Sequence, residues 1–97
     1  MASKMEYLDF ILEQLDLLDN ITYRSMMGEF LLYYRQVLIG GIYDDRLLIK
    51  IVKENKKYKM KEAIPYSGAK PMYLASNVDD KELLKDIVLD TYNDLKK

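Results

Sequence analysis

The chain has 97 residues, 49% of them hydrophobic and 32% charged, with a net charge of −1. That composition fits one globular domain which buries roughly 65% of its unfolded surface, and the near-neutral charge gives no global attraction to nucleic acid or anionic lipid. The absence of Cys and His removes disulfides, thiol nucleophiles, thiolate zinc sites and imidazole chemistry in one step.

No apolar run approaches the ~20 residues a membrane span needs. The N-terminus has neither the basic start nor the apolar stretch of a signal peptide, so a cytoplasmic location is expected. Charge is unevenly spread. Glu6, Asp9, Glu13, Asp16 and Asp19 lie close together near the start, whereas Lys50, Lys53, Lys56, Lys57, Lys59 and Lys61 crowd the middle.

The pattern predicts a first helix over 3–18. Ser3 and Glu6 have capping-box spacing, and Leu8, Ile11, Leu12, Leu15 and Leu18 fall on one helical face. Asp19-Asn20 breaks that helix, and the alternating run Ile21–Met26 reads as a strand. Met26-Met27-Gly28 ends it, with Gly28 supplying a conformation that a side chain resists. Three β-rich runs follow, Phe30–Tyr34, Val37–Tyr43 and Leu47–Val52, separated by Arg35-Gln36 and Asp44-Asp45-Arg46. Such spacing predicts an antiparallel meander. Both faces of these strands are apolar, so each must be covered: one by helices, the other by a later segment or a second copy of the chain. A homodimer is therefore expected. Gly40-Gly41 inside a strand points to a bulge or a close backbone approach.

A short helix is expected over 53–62, with Tyr58 turned inward and its lysines solvated. Pro65–Pro71 reads as an ordered loop with Gly68 at a positive-φ turn, followed by a fifth strand ending at Ala75. A last helix over about 80–96 carries the stripe Leu83, Leu84, Ile87, Val88, Thr91, Tyr92 and Leu95, with an acidic cap at Asp79-Asp80. The expected fold is a single α+β domain over 1–97, with one antiparallel sheet of about five strands and a short helix before the last strand.

Three groups of residues carry candidate chemistry. Lys53, Lys56, Lys57, Lys59 and Lys61 form either a phosphate-contacting segment, with Tyr58 available to stack on a base, or a solvated helix face. Tyr66, Lys70 and Tyr73 form either a docking surface for a protein partner or part of a rigid connection. Glu29, Asp44 and Asp45 would hold a hard cation, or act as catalytic carboxylates, if they met in space; otherwise they are turn chemistry. No catalytic residue, metal ligand or cofactor is assigned.

Three segments together resemble the N-terminal domain of the TfoX/Sxy competence regulators. Met26-Met27-Gly28-Glu29-Phe30 is similar to the family's Met-aromatic-Gly-Glu-aromatic segment. Tyr43–Lys50 looks like its Asp-Asp/Gly-x-Leu-Tyr-Leu-Lys strand, and Pro65–Tyr73 is the third match. The signature positions are Met26, Gly28, Glu29, Asp45, Leu47, Lys50, Pro65, Gly68 and Lys70. Arg35-Gln36 stands where members often have an Asp-Gly-type turn, Met27 replaces an aromatic, and Leu48 replaces the Tyr. The resemblance implies a helix–sheet–helix α+β fold of the secretion-chaperone-like group. It also implies a regulatory role: two-domain members co-activate transcription of DNA-uptake genes, and this chain looks like a stand-alone first domain. The expected function is thus a non-catalytic, protein-binding regulatory module. Direct nucleic-acid binding through Lys50–Lys61 is the alternative, and a small or metal-dependent enzyme is the least favoured.

Overall fold

A computed structural model describes residues 3–75 and 77–96. Helix α1 spans Met5–Gln14; strands β1 Ile21–Met26, β2 Glu29–Tyr34, β3 Val37–Ile42 and β4 Leu47–Ile49 follow. A 3-10 helix, Lys53–Tyr58, leads to β5 Lys61–Ala63, β6 Met72–Leu74 and helix α2 Lys81–Leu95. The α+β class is as expected, but the sheet has six strands, in the order β1-β2-β3-β4-β6-β5, all antiparallel.

The meander is built by three two-residue connections. Met27-Gly28, Arg35-Gln36 and Asp44-Asp45 all have positive φ at both residues, between 49° and 85°. That is the handedness which matches the twist of paired strands. Glycine takes it without strain, while Arg35 and Gln36 adopt it at a cost because a Cβ crowds the neighbouring carbonyl. Between Leu32 and Tyr33 the β2–β3 register shifts, so Ile39 is an extra residue in β3. Its carbonyl accepts from the Lys50 N–H at 2.9 Å. The expected irregularity at Gly40-Gly41 is present. A Cβ on Gly40 would run into the Leu48 carbonyl oxygen, and one on Gly41 would stand 2.6 Å from the Phe30 carbonyl oxygen and 2.8 Å from the Tyr43 ring.

Both helices pack on one sheet face. Leu8, Ile11 and Leu15 of the first helical segment and Leu84, Ile87 and Val88 of α2 close over Phe30, Leu32, Ile39, Ile42, Leu47 and Ile49. Strand β2 shows the alternation plainly: Phe30, Leu32 and Tyr34 are buried, while Leu31 and Tyr33 on the other face are half-buried. That second face is covered at one end only. There Leu48 is fully buried, and the loop between β5 and β6 brings Tyr66 against Tyr43.

Four expectations need correction. The first helix is shorter than 3–18, and Ser3 does not cap it: Lys4 is the N-cap residue, with no side-chain cap bond. Ser3 is drawn instead to Glu29, 26 residues away. The fourth strand stops at Ile49 rather than Val52, because the Val52 N–H donates to Asn55 Oδ1 at 3.2 Å and leaves the ladder. The helix expected over 53–62 is a 3-10 helix ending at Tyr58. Lys61 and Glu62, expected to be helical, belong with Ala63 to an edge strand paired with β6, so two strands follow the short helix. The cap of α2 is Asp80, whose carboxylate accepts from the Leu83 N–H at 3.1 Å.

Candidate docking groove

Two constellations draw together the residues singled out from the sequence. The first does bring Glu29, Asp44 and Asp45 together. Glu29 Oε1 accepts from the Ser3 N–H at 3.0 Å and from Ser3 Oγ at 2.6 Å, and both Glu29 carboxylate oxygens accept from the Asp44 N–H at 3.2 Å. Ser3 Oγ in turn accepts from the Asp45 N–H at 3.0 Å, and Asp45 Oδ1 accepts from the Lys4 N–H at 2.8 Å. The cluster is a knot that ties the N-terminal segment to the turns of two hairpins, β1–β2 and β3–β4. Both Glu29 oxygens and Oδ1 of Asp45 accept from donors of the chain itself, while Asp44 enters the knot through its backbone N–H. Among the described residues, no group of three or more carboxylates is placed to hold a metal ion.

The second constellation is an open groove of about 620 Å³ on the half-covered sheet face. Leu38, Ile51 and Met72 supply its apolar lining, Tyr43 and Tyr66 its aromatic rings, and Lys50 and Lys70 its charge. The Tyr43 and Tyr66 rings lie 6.1 Å apart, inclined at 48°. Burial, then the neighbouring Tyr66 and the Glu29 charge, push the Tyr43 phenol above its ordinary range, so it stays protonated near neutrality. Tyr66 is 58% exposed. The loop that carries Tyr66 is held from both sides. Arg46 donates through Nε to the Tyr43 carbonyl at 3.2 Å and through Nη2 to the Ile64 carbonyl at 3.1 Å. The Ala69 N–H closes a turn onto the Tyr66 carbonyl at 3.0 Å, with Gly68 at φ 87°. Those fixed points make the loop a rigid rim, so a ligand meets a surface already in place.

The docking residues expected from the sequence divide accordingly. Tyr66 and Lys70 line the groove, but Tyr73 does not: its side chain joins the helix-covered core, where it is 9% exposed. Lys50, read from the sequence as one end of the basic segment, also belongs to the groove. Leu38, Ile51, Met72 and Tyr43 were not among the expected docking residues. Gly40-Gly41 beside Tyr43 was the one local signal, since a ring lying on a backbone needs a missing Cβ there.

The remaining lysines sit on and after the 3-10 helix, and Lys53, Lys56, Lys57, Lys59 and Lys61 are all exposed. Carboxylates are interleaved with them. Lys57 Nζ lies 3.0 Å from Asp90, and the Glu54 N–H donates to Asp94 at 3.1 Å. Tyr58 is turned inward as expected and its hydroxyl donates to Asp90 at 2.5 Å, so the ring is committed within the fold. Burial first, then the hydrogen bond and charge of Asp90, push its phenol pKa strongly upward. Asn55, fully buried, locks the same helix to α2. Its Nδ2 donates to the Lys50 carbonyl at 2.8 Å and to Thr91 Oγ1 at 2.9 Å.

No helix among the described residues is long and apolar enough to cross a membrane. No protein-family model matches the chain, and no curated protein matches it in sequence.

Proposed function

We propose that this chain is a non-catalytic binding module that holds an extended segment of a partner protein in the Tyr43–Tyr66 groove. The observation that carries the reading is the groove's composition: an apolar lining, two tyrosines on a rigid rim and two lysines, in a molecule where Glu29, at the centre of the other polar cluster, is already bonded within the chain. Such a surface fits a segment with an aromatic or aliphatic side chain flanked by Asp or Glu. The apolar group gains from burial, and the acids gain from Lys50 and Lys70. The resemblance to TfoX/Sxy N-terminal domains supports a regulatory role in the bacterial cytoplasm, with a transcription regulator as the kind of partner. Self-association is part of the same proposal.

A panel of fluorescent peptides with aromatic–acidic cores, titrated by anisotropy, tests the groove. Binding is expected to weaken about tenfold in Tyr66→Ala and in the Lys50→Glu/Lys70→Glu double variant. Equal affinity for these variants and the parent chain would overturn the assignment.

One observation favours a second reading, direct nucleic-acid binding: Lys53, Lys56, Lys59 and Lys61 are exposed and carry no ion pair among the described residues. A labelled duplex titrated at low salt decides it. Binding that falls steeply with salt, and is lost in Lys56→Glu/Lys59→Glu, supports this reading; no binding at low salt ends it.

A further inference from the structure

The sheet has two edges, and they differ in a way that bears on self-association. Strand β5, Lys61-Glu62-Ala63, is three residues long and carries two charges; short length and charge are the usual protection against pairing with another chain. Strand β1 at the opposite edge is twice as long and has one charge in place of two. Its six residues pair with β2 in one unbroken register, without bulge or proline, and Arg24 is its only charge. All but Ile21 are exposed.

The outward-facing backbone groups of β1 follow from its pairing. The Arg35 N–H donates to the Asn20 carbonyl at 3.1 Å, which makes that pair a hydrogen-bonded one. In an antiparallel ladder such pairs alternate, so Thr22, Arg24 and Met26 face β2, while the N–H and C=O of Ile21, Tyr23 and Ser25 face away. Among the described residues nothing pairs with them.

We propose that a second copy of this chain docks here, β1 against β1 antiparallel about a two-fold axis through Tyr23, joining two sheets into one. This inference rests on the self-association just proposed and names its surface. The register is selected by chemistry. With Tyr23 on the axis, Ile21 faces Ser25 of the second copy, and every outward donor meets an acceptor, giving about six hydrogen bonds. Arg24 then lies beside Thr22 of the second copy. A shift that puts Arg24 on the axis opposes two like charges, and one that puts Thr22 there leaves the groups of Ser25 unmatched. Tyr23 is 43% exposed and meets Phe30 edge-on at a centroid distance of 6.0 Å. The proposed dimer extends that contact into a row of four rings. The second copy is favoured over an extended peptide of another protein because the strand is complementary to itself in this register.

Light scattering over ~1–100 µM, together with single-cysteine cross-linking in a chain that has no cysteine of its own, tests the proposal. Ser25→Pro removes an outward N–H without touching the β1–β2 ladder, and is expected to raise the dimer dissociation constant about tenfold or more. Thr22→Glu places a carboxylate beside Arg24 of the second copy and is expected to tighten the dimer; Thr22→Arg is expected to loosen it. Under mild oxidation Tyr23→Cys should give a covalent dimer, whereas Met26→Cys should not. A mass of one chain across the whole range overturns both self-association and this surface. A dimer unmoved by Ser25→Pro and Thr22→Arg overturns the surface alone. Peptide binding in the groove is read separately in the same variants.

Discussion

The knot at Glu29 and the groove at Tyr66 both draw on the β3–β4 hairpin, through Asp44-Asp45 and Tyr43, and they are opposites. The knot gathers three acidic residues, which in a sequence suggests chemistry, yet Glu29 and Asp45 accept hydrogen bonds from Ser3, Lys4 and Asp44 of the same chain. The groove has few polar groups, but its lysines and Tyr66 are not consumed by the fold. A cluster whose bonds are spent internally holds structure together; one with groups left over is available to a ligand.

Four substitutions test that contrast. The largest effect is expected at Asn55, the other saturated polar site. Asn55→Ala leaves the Lys50 carbonyl and Val52 N–H without their partner in a buried place, so denaturant unfolding should show a loss of about 3 kcal/mol. A loss below about 1 kcal/mol would mean that water substitutes for the side chain. Glu29→Ala is expected to cost about 1–2 kcal/mol, less because the site is partly open to solvent, and to leave peptide affinity unchanged. If Glu29→Ala instead abolished binding with stability intact, the knot rather than the groove would be the functional site.

Tyr58→Phe comes next, at about 1 kcal/mol near neutral pH, from the lost hydrogen bond to Asp90. Its signature is alkaline. The folded-state phenol pKa is raised, so the phenol stays protonated in the fold, while the unfolded phenol ionises near its ordinary value of about 10. The stabilisation is therefore complete below about pH 10 and is lost as pH rises toward the folded value. The parent chain should lose stability in that window more steeply than Tyr58→Phe; parallel curves from pH 8 to 11 would remove the assignment. The smallest stability effect is expected for Tyr66→Ala, within about 0.5 kcal/mol, since the side chain is mostly exposed. Thermal unfolding that drops well beyond this would place Tyr66 in the scaffold.

The meander was legible because Phe30–Tyr34, Val37–Ile42 and Leu47–Ile49 carry their own β pattern and are separated by pairs of turn residues. Strand β5 was not. Lys61-Glu62-Ala63 has no apolar alternation, because an edge strand need not bury either face, and only its pairing with Met72–Leu74 makes it a strand. Ser3 was misread for a related reason: its local capping option with Glu6 lost to partners 26 and 42 residues away. In the groove, Tyr66 and Lys70 could be picked out because the loop's prolines and Gly68 mark it as ordered. Leu38, Ile51 and Met72 could not, since a concave surface appears only when the loop folds back over the sheet. Tyr73 illustrates the limit of residue type: one position from Met72, it faces the opposite side of the sheet and is core.

Strand order also has a consequence for how the protein is made. Strand β6 lies between β4 and β5, so the inner edge of β4 stays unpaired until residues 72–74 have been synthesised. During translation the first four strands can zip up through their short turns while Leu47, Leu48 and Ile49 still present an open ladder. The same interval leaves the helix-facing side of the sheet waiting for α2, which follows β6 in the chain. A nascent chain stalled between Ala63 and Leu74 would therefore expose a second open strand edge, fully apolar, besides that of β1.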